Sequence, residues 1–163
     1  MDFSPEFCIE KTIEASNKKY KCLQDLVLLT MAQTEAISEE GMDGLEKLIN
    51  EKQIKIDEIN RIDEDFKMYF NFLKQKLGIN RLDEIDASQL KGAKELKQIT
   101  GQIMELLDEI NKLEKQNYAK AKSLMDEFGA KLRQIREGKK LNDTYYNSGA
   151  SLTPPAYFLD KKK

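Results

Sequence analysis

Residues 39–66 read EEGMDGLEKLINEKQIKIDEINRIDEDF, and their pattern decides the fold. Gly41 and Gly44 break the preceding run, after which Leu45, Leu48, Ile49, Ile56, Ile59, Ile62 and Phe66 recur at helical spacing among acidic and basic residues. Apolar positions three and four apart fall on one side of a helix. A single apolar stripe on a charged helix is covered by packing lengthwise against other helices. The segment therefore predicts a rod in a bundle, not the wall of a catalytic cleft. Asp43 is expected to cap this second helix, which runs to Leu77 and stops at Gly78 in a left-handed turn.

Upstream, Ser4-Pro5 supplies a favoured N-cap and first helical residue, predicting a first helix from there to about Glu39. Ile9, Ile13, Tyr20, Leu23, Leu26, Val27 and Thr30 share one face, continued by Thr34 and Ile37. Before Leu23 the stripe is sparse and the flank EASNKKYK strongly polar, so that end is expected to protrude from the bundle or fray. Leu28 and Leu29 lie off the stripe: either the helix touches two neighbours there or it shows an apolar patch to solvent.

The second helix ends in the most aromatic part of the chain, residues 66–73, FKMYFNFL. Phe66, Tyr69, Phe70 and Leu73 continue the core face, whereas Met68 and Phe72 widen the apolar arc to about 200° at 100° per residue. One neighbour cannot cover such an arc. Either a three-helix arrangement covers it internally, or an adaptable Met and Phe surface receives an apolar partner helix. INRLDEIDAS, residues 79–88, reads as a short connector with Leu82 and Ile85 folding back onto the bundle.

A third helix is expected from about Gln89 to Glu137. Its stripe runs Leu96, Ile99, Ile103, Leu106, Leu107, Ile110, Leu113, Asn117, Ala121, Leu124, Phe128, Leu132 and Ile135. The heptad from Leu96 to Asn117 meets a four-residue stutter at Ala121, which unwinds any supercoil into a fairly straight rod. Asn117, polar within an apolar seam, is expected to fix register. Gly138 should end the helix. The fold class is thus all-α: an elongated antiparallel bundle of three long helices with partial coiled-coil character, residues 1–138, and an irregular C-terminal tail, residues 139–163.

Composition excludes several classes. The chain has 163 residues, 40% hydrophobic and 34% charged, with formal net charge −2, as for a soluble helical domain. Prolines stand only at positions 5, 154 and 155, leaving the long span between them free of helix breakers. No run approaches the roughly 18 apolar residues of a membrane helix, and MDFSPEF lacks the start of a signal peptide. Cytoplasmic location without membrane insertion is the expectation. Cys8 and Cys22, on one helix, stand roughly 21 Å apart and cannot pair. Without histidine or clustered cysteines, no metal site, cofactor or catalytic base is expected, and the common nucleotide and nucleophile motifs are missing. The acidic body argues against nucleic-acid binding. Catalysis is not expected.

The tail, KKLNDTYYNSGASLTPPAYFLDKKK, holds five lysines and two aspartates, a net of +3 that leaves −5 on residues 1–138. It mixes turn formers with Leu141, Tyr145, Tyr146, Leu152, Tyr157, Phe158 and Leu159, groups a pure linker does not need. These aromatics either dock on their own bundle or order on a partner.

In sequence order, LVLLTMAQTEAISEEGMDGLEKLINEKQIKIDEINRIDEDF, KQKLGINRLDEID and LKQITGQIMELLDEINKLEKQN resemble the FlgN family of flagellar export chaperones. The ending, REGKKLNDTYYNS to PPAYFLDKKK, is similar to Gram-positive members. The resemblance implies a cytoplasmic helical chaperone that binds the hook-filament junction proteins FlgK and FlgL. It would mask their C-terminal amphipathic region until they reach the type III export gate. Leu28, Leu29, Met68 and Phe72 are then the expected client contacts. Tyr145, Tyr146, Tyr157 and Phe158 are the expected docking element for export gate components, on a monomer or weak dimer. A structural coiled-coil protein that self-associates without a client is the alternative.

Overall fold

The structure is a computed structural model that describes residues 3–38 and 40–142, with side chains as far as Lys139. It contains α1 (Pro5–Ala36), α2 (Met42–Leu77), a 3₁₀ turn at Leu82–Glu84 and α3 (Ala93–Asn142), and no strand among the described residues. Ser4 caps α1 as its sequence predicts, its Oγ accepting the Phe7 N–H at 3.1 Å. Gly78 ends α2 with φ 65° and returns its N–H to the Lys74 carbonyl.

Other boundaries differ. α1 stops at Ala36, before Glu39, and Gly41 occupies the α2 N-cap in place of Asp43, its N–H donating to Ser38 Oγ at 3.0 Å. α3 begins at Ala93 instead of Gln89 because Gly92 turns the chain with φ 89° against α1. A Cβ there would stand 2.6 Å from Ile9 Cγ2. At its other end α3 runs through Gly138 to Asn142, since a solvated glycine costs a helix only about 1 kcal/mol and does not by itself end it.

Cross-helix pairs fix the topology. Lys19 meets Asp63 at 2.8 Å and Lys55 meets Asp25 at 3.1 Å, so α2 runs antiparallel to α1. Gly92 lies against Ile9, while Asn117 Nδ2 donates to the Thr30 carbonyl at 3.1 Å, so α3 runs parallel to α1. The result is an up-down-up bundle in which α1 lies closely along both other helices. Lys120 donates to the Thr34 carbonyl near the end of α1, supplying the positive charge that the last turn of α1 lacks.

The N-terminal half of α1 neither protrudes nor frays. Cys8, Ile9, Thr12, Ala15 and Ser16 are all buried. Small side chains let α1 approach two helices at once, and Thr12 satisfies its hydroxyl on the Ile9 carbonyl at 2.8 Å. The connector closes this end of the bundle: Ile85 and Leu90 are buried as part of the main core, and Lys97 donates to the Ile85 carbonyl.

The core is divided. The larger cluster gathers Leu23, Leu26, Ile59, Leu73, Leu96 and Ile103, and a small one gathers Ile37, Leu45 and Ala121 at the α1–α2 hinge. Between them lies a polar layer. Lys52, only 2% exposed, donates to Gln33 Oε1 at 2.8 Å and pairs with Glu114 of α3. In the same layer the Thr34 hydroxyl donates to Asn117 Oδ1. Dehydrating an ammonium costs several kcal/mol, so this layer persists only where all three helices bring their polar groups to one level.

Two measurements test these readings. Urea unfolding of Lys52→Ala should show a loss of about 3 kcal/mol or more, whereas Gln33→Leu with Lys52→Met and Glu114→Leu should match or exceed the parent, about 1–4 kcal/mol at most. In the same assay Gly92→Ala should lose about 2 kcal/mol or more, from its positive φ and the clash with Ile9. Gly101→Ala, with open space around its Cβ, should gain about 0.5–1 kcal/mol.

Candidate interaction surface

The off-stripe residues of α1 and α2 do not form one groove. Leu28 is 64% exposed, with Met31 beside it, and Leu29 is half-buried. Met68 is 44% exposed, but Phe72 is half-buried under Phe3, their ring centroids 5.1 Å apart in an edge-on contact. By the Lys19–Asp63 and Lys55–Asp25 pairing, Met68 stands level with the early turns of α1, some 14 residues or roughly 20 Å from Leu28. The wide aromatic arc of α2 is closed by the chain's own start: Phe3 and Phe7 pack on Tyr69 at 5.6 and 6.0 Å, which leaves Met68 as its open edge. Tyr145, Tyr146, Tyr157 and Phe158 lie outside the described residues.

Among the described residues, the larger surface without a neighbouring helix is on α3. Ala121, Leu124 and Met125 pack with Ile37, Leu45 and Ile49 at the hinge, yet α3 continues to Asn142, roughly 30 Å beyond Ala121. Its stripe continues as well. Phe128 and Leu132 are half-buried and belong to neither core cluster, and Ile135 is 54% exposed. At the base of this extension lies an open concavity of about 500 Å³, where Ile37, Ser38 and Glu40 of the hinge face Leu124, Glu127 and Lys131. Residues 130–142 carry five basic side chains and one acidic, so the exposed end of α3 is an apolar ridge between cations.

This geometry suits the capture of an amphipathic helix. Among the described residues no cluster of side chains could hold a metal ion, and no helix is long and apolar enough to cross a membrane. The two thiols are buried, and burial pushes both above the usual thiol range, which makes them poor nucleophiles. The exposed end of α3 was visible as a stripe in the sequence, but only the length of α1 and α2 shows that, among the described residues, no helix accompanies its last turns. Lys52 had a fainter signal: it occupies the stripe position between Ile49 and Ile56 that an apolar residue would fill.

No curated protein and no solved structure matches the chain. The model of the FlgN protein family matches residues 1–153, including the first helix, and the chain belongs to the FlgN family.

Proposed function

We propose that this chain is a cytoplasmic chaperone for the hook-filament junction proteins FlgK and FlgL, masking their C-terminal amphipathic region and delivering them to the flagellar export gate. Family membership supplies the general character, that of a flagellar export chaperone. The observation supporting a client of this kind is the apolar ridge of Phe128, Leu132 and Ile135, which runs past the ends of α1 and α2. A client helix with apolar residues at i, i+3, i+4 and i+7 would lie on that ridge and take the place that α1 and α2 vacate.

Magnitudes set how far the client must reach. Covering an apolar side chain contributes about 1.5–3 kcal/mol, so three half-exposed anchors fall below about 9 kcal/mol before association costs of about 4–15 kcal/mol. A micromolar complex needs about 8 kcal/mol net. The client must therefore also enter the hinge concavity at Ile37 and Leu124, or continue along the bundle to Leu28 and Leu29. Met68 and Phe72 form a further proposed contact at the closed end, with Met68 the accessible member. Tyr145, Tyr146, Tyr157 and Phe158 are proposed to dock on export gate components.

Titration calorimetry against C-terminal FlgK and FlgL segments from the same genome tests this reading. Leu132→Glu with Ile135→Glu should weaken binding by about tenfold or more while the protein stays helical, since each buried charge costs at least about 1–3 kcal/mol. Absence of binding by the parent chain would reject these clients; unchanged affinity in the double variant would move the site elsewhere. Met68→Glu should have the smaller effect.

A further inference from the structure

We propose that the α3 ridge selects a partner helix whose apolar anchors are bordered by Asp and Glu, so that this surface takes an acidic amphipathic helix and turns away a basic one. This deepens the assignment of the ridge as the client face and rests on it. The first observation is where the charges stand. At 100° per residue, Leu132 and Ile135 fall within about 40° of Phe128, while Lys131 borders that line about 60° to one side and Arg136 about 80° to the other. Lys139 follows Ile135 one turn on, about 20° from the same line. All three cations are exposed. The single carboxylate of residues 128–139, Glu137, lies about 180° from Phe128, on the far side of the helix. A helix laid on Leu132 and Ile135 therefore meets a cation at each border and an anion at neither.

The second observation is that this bias is confined to the overhang. Residues 128–139 hold four basic side chains and one acidic, a net of +3, whereas residues 1–127 hold 19 basic and 26 acidic, a net of −7. Along the earlier part of α3, residues 93–127, the signs nearly balance, with six basic and seven acidic. The helix macrodipole does not account for the change. It favours cations only within the last turn, and α3 runs to Asn142, so Lys131, Arg133 and Arg136 stand outside its reach.

Charge also decides between occupants. A second copy laid ridge to ridge would bring its own cations to the same borders, and like charges across an interface oppose binding. An anionic bilayer would attract the overhang and repel the −7 carried by residues 1–127. A helix of opposite sign meets neither obstacle. Its carboxylates reach Lys131 and Arg136 while its apolar line covers Leu132 and Ile135, and such pairing governs the encounter rate and the choice of partner.

The test sets the full chain against two synthetic helical peptides with the same apolar residues at i, i+3, i+4 and i+7, one bordered by glutamates and the other by lysines. In low salt the acidic peptide should bind about tenfold tighter, a difference of about 1.4 kcal/mol. The gap should shrink at about 1 M salt, where charges are screened within about 3 Å. Lys131→Gln with Arg136→Gln should narrow it, and Lys131→Glu with Arg136→Glu should invert it. Lys112→Glu with Lys115→Glu, at exposed cations earlier on α3, should leave it unchanged. Equal affinities for the two peptides, or a gap that survives the changes at positions 131 and 136, would overturn the proposal. So would binding to phosphatidylglycerol vesicles without binding to the acidic peptide, which would make a lipid surface the partner. A charge preference among the peptides with no binding of the FlgK and FlgL segments would uphold the proposal and reject those clients. Tight binding of those segments without any charge preference would do the reverse.

Discussion

The Lys52 ammonium, held between Gln33 of α1 and Glu114 of α3, is the constraint on which the bundle depends. Apolar heptads are nearly degenerate: sliding one helix by two turns replaces leucine contacts with isoleucine contacts at small cost. Moving a buried cation away from its partners costs several kcal/mol, so the polar layer discriminates among registers that the stripes barely distinguish. Asn117 adds to this. Bound to the Thr30 carbonyl and the Thr34 hydroxyl, it locks α3 against α1 one turn away from the lysine.

The same layer divides the interior into unequal parts. The larger core is closed by the connector, with Ile85 and Leu90 tucked beneath the helices, and the smaller one at the hinge rests on Ile37, Leu45 and Ala121. With fewer apolar contacts, the hinge end has the lower local stability. The concavity and the exposed ridge of α3 open from that end, which places the adaptable part of the molecule beside the surface assigned to clients.

Much of this was legible in the sequence, for identifiable reasons. The stripes of α2 and α3, the Ser4-Pro5 start and the Gly78 stop are local signals that tertiary structure had no cause to override. The buried first half of α1 was not legible, because Thr12, Ala15 and Ser16 pack through smallness and leave no hydrophobic signature. Lys52 left only the faint signal of a charge in a stripe position, and its partners sit 19 and 62 positions away, beyond what one helix can display. Of the residues expected to meet a client, Leu28 and Met68 are open. Phe72 is covered by Phe3, a contact between distant segments that periodicity does not encode.

Gly92 shows how one small residue shapes the molecule's outline. Because it lets the connector press against Ile9 and Ile13, α3 starts flush with the beginning of α1, and its surplus length is spent at the opposite end. Among the described residues the bundle is sealed at one pole, and at the other α3 runs on past α1 and α2. A helix laid along the α3 overhang would bring that pole to the width of the bundle without adding to its length, which α3 already sets.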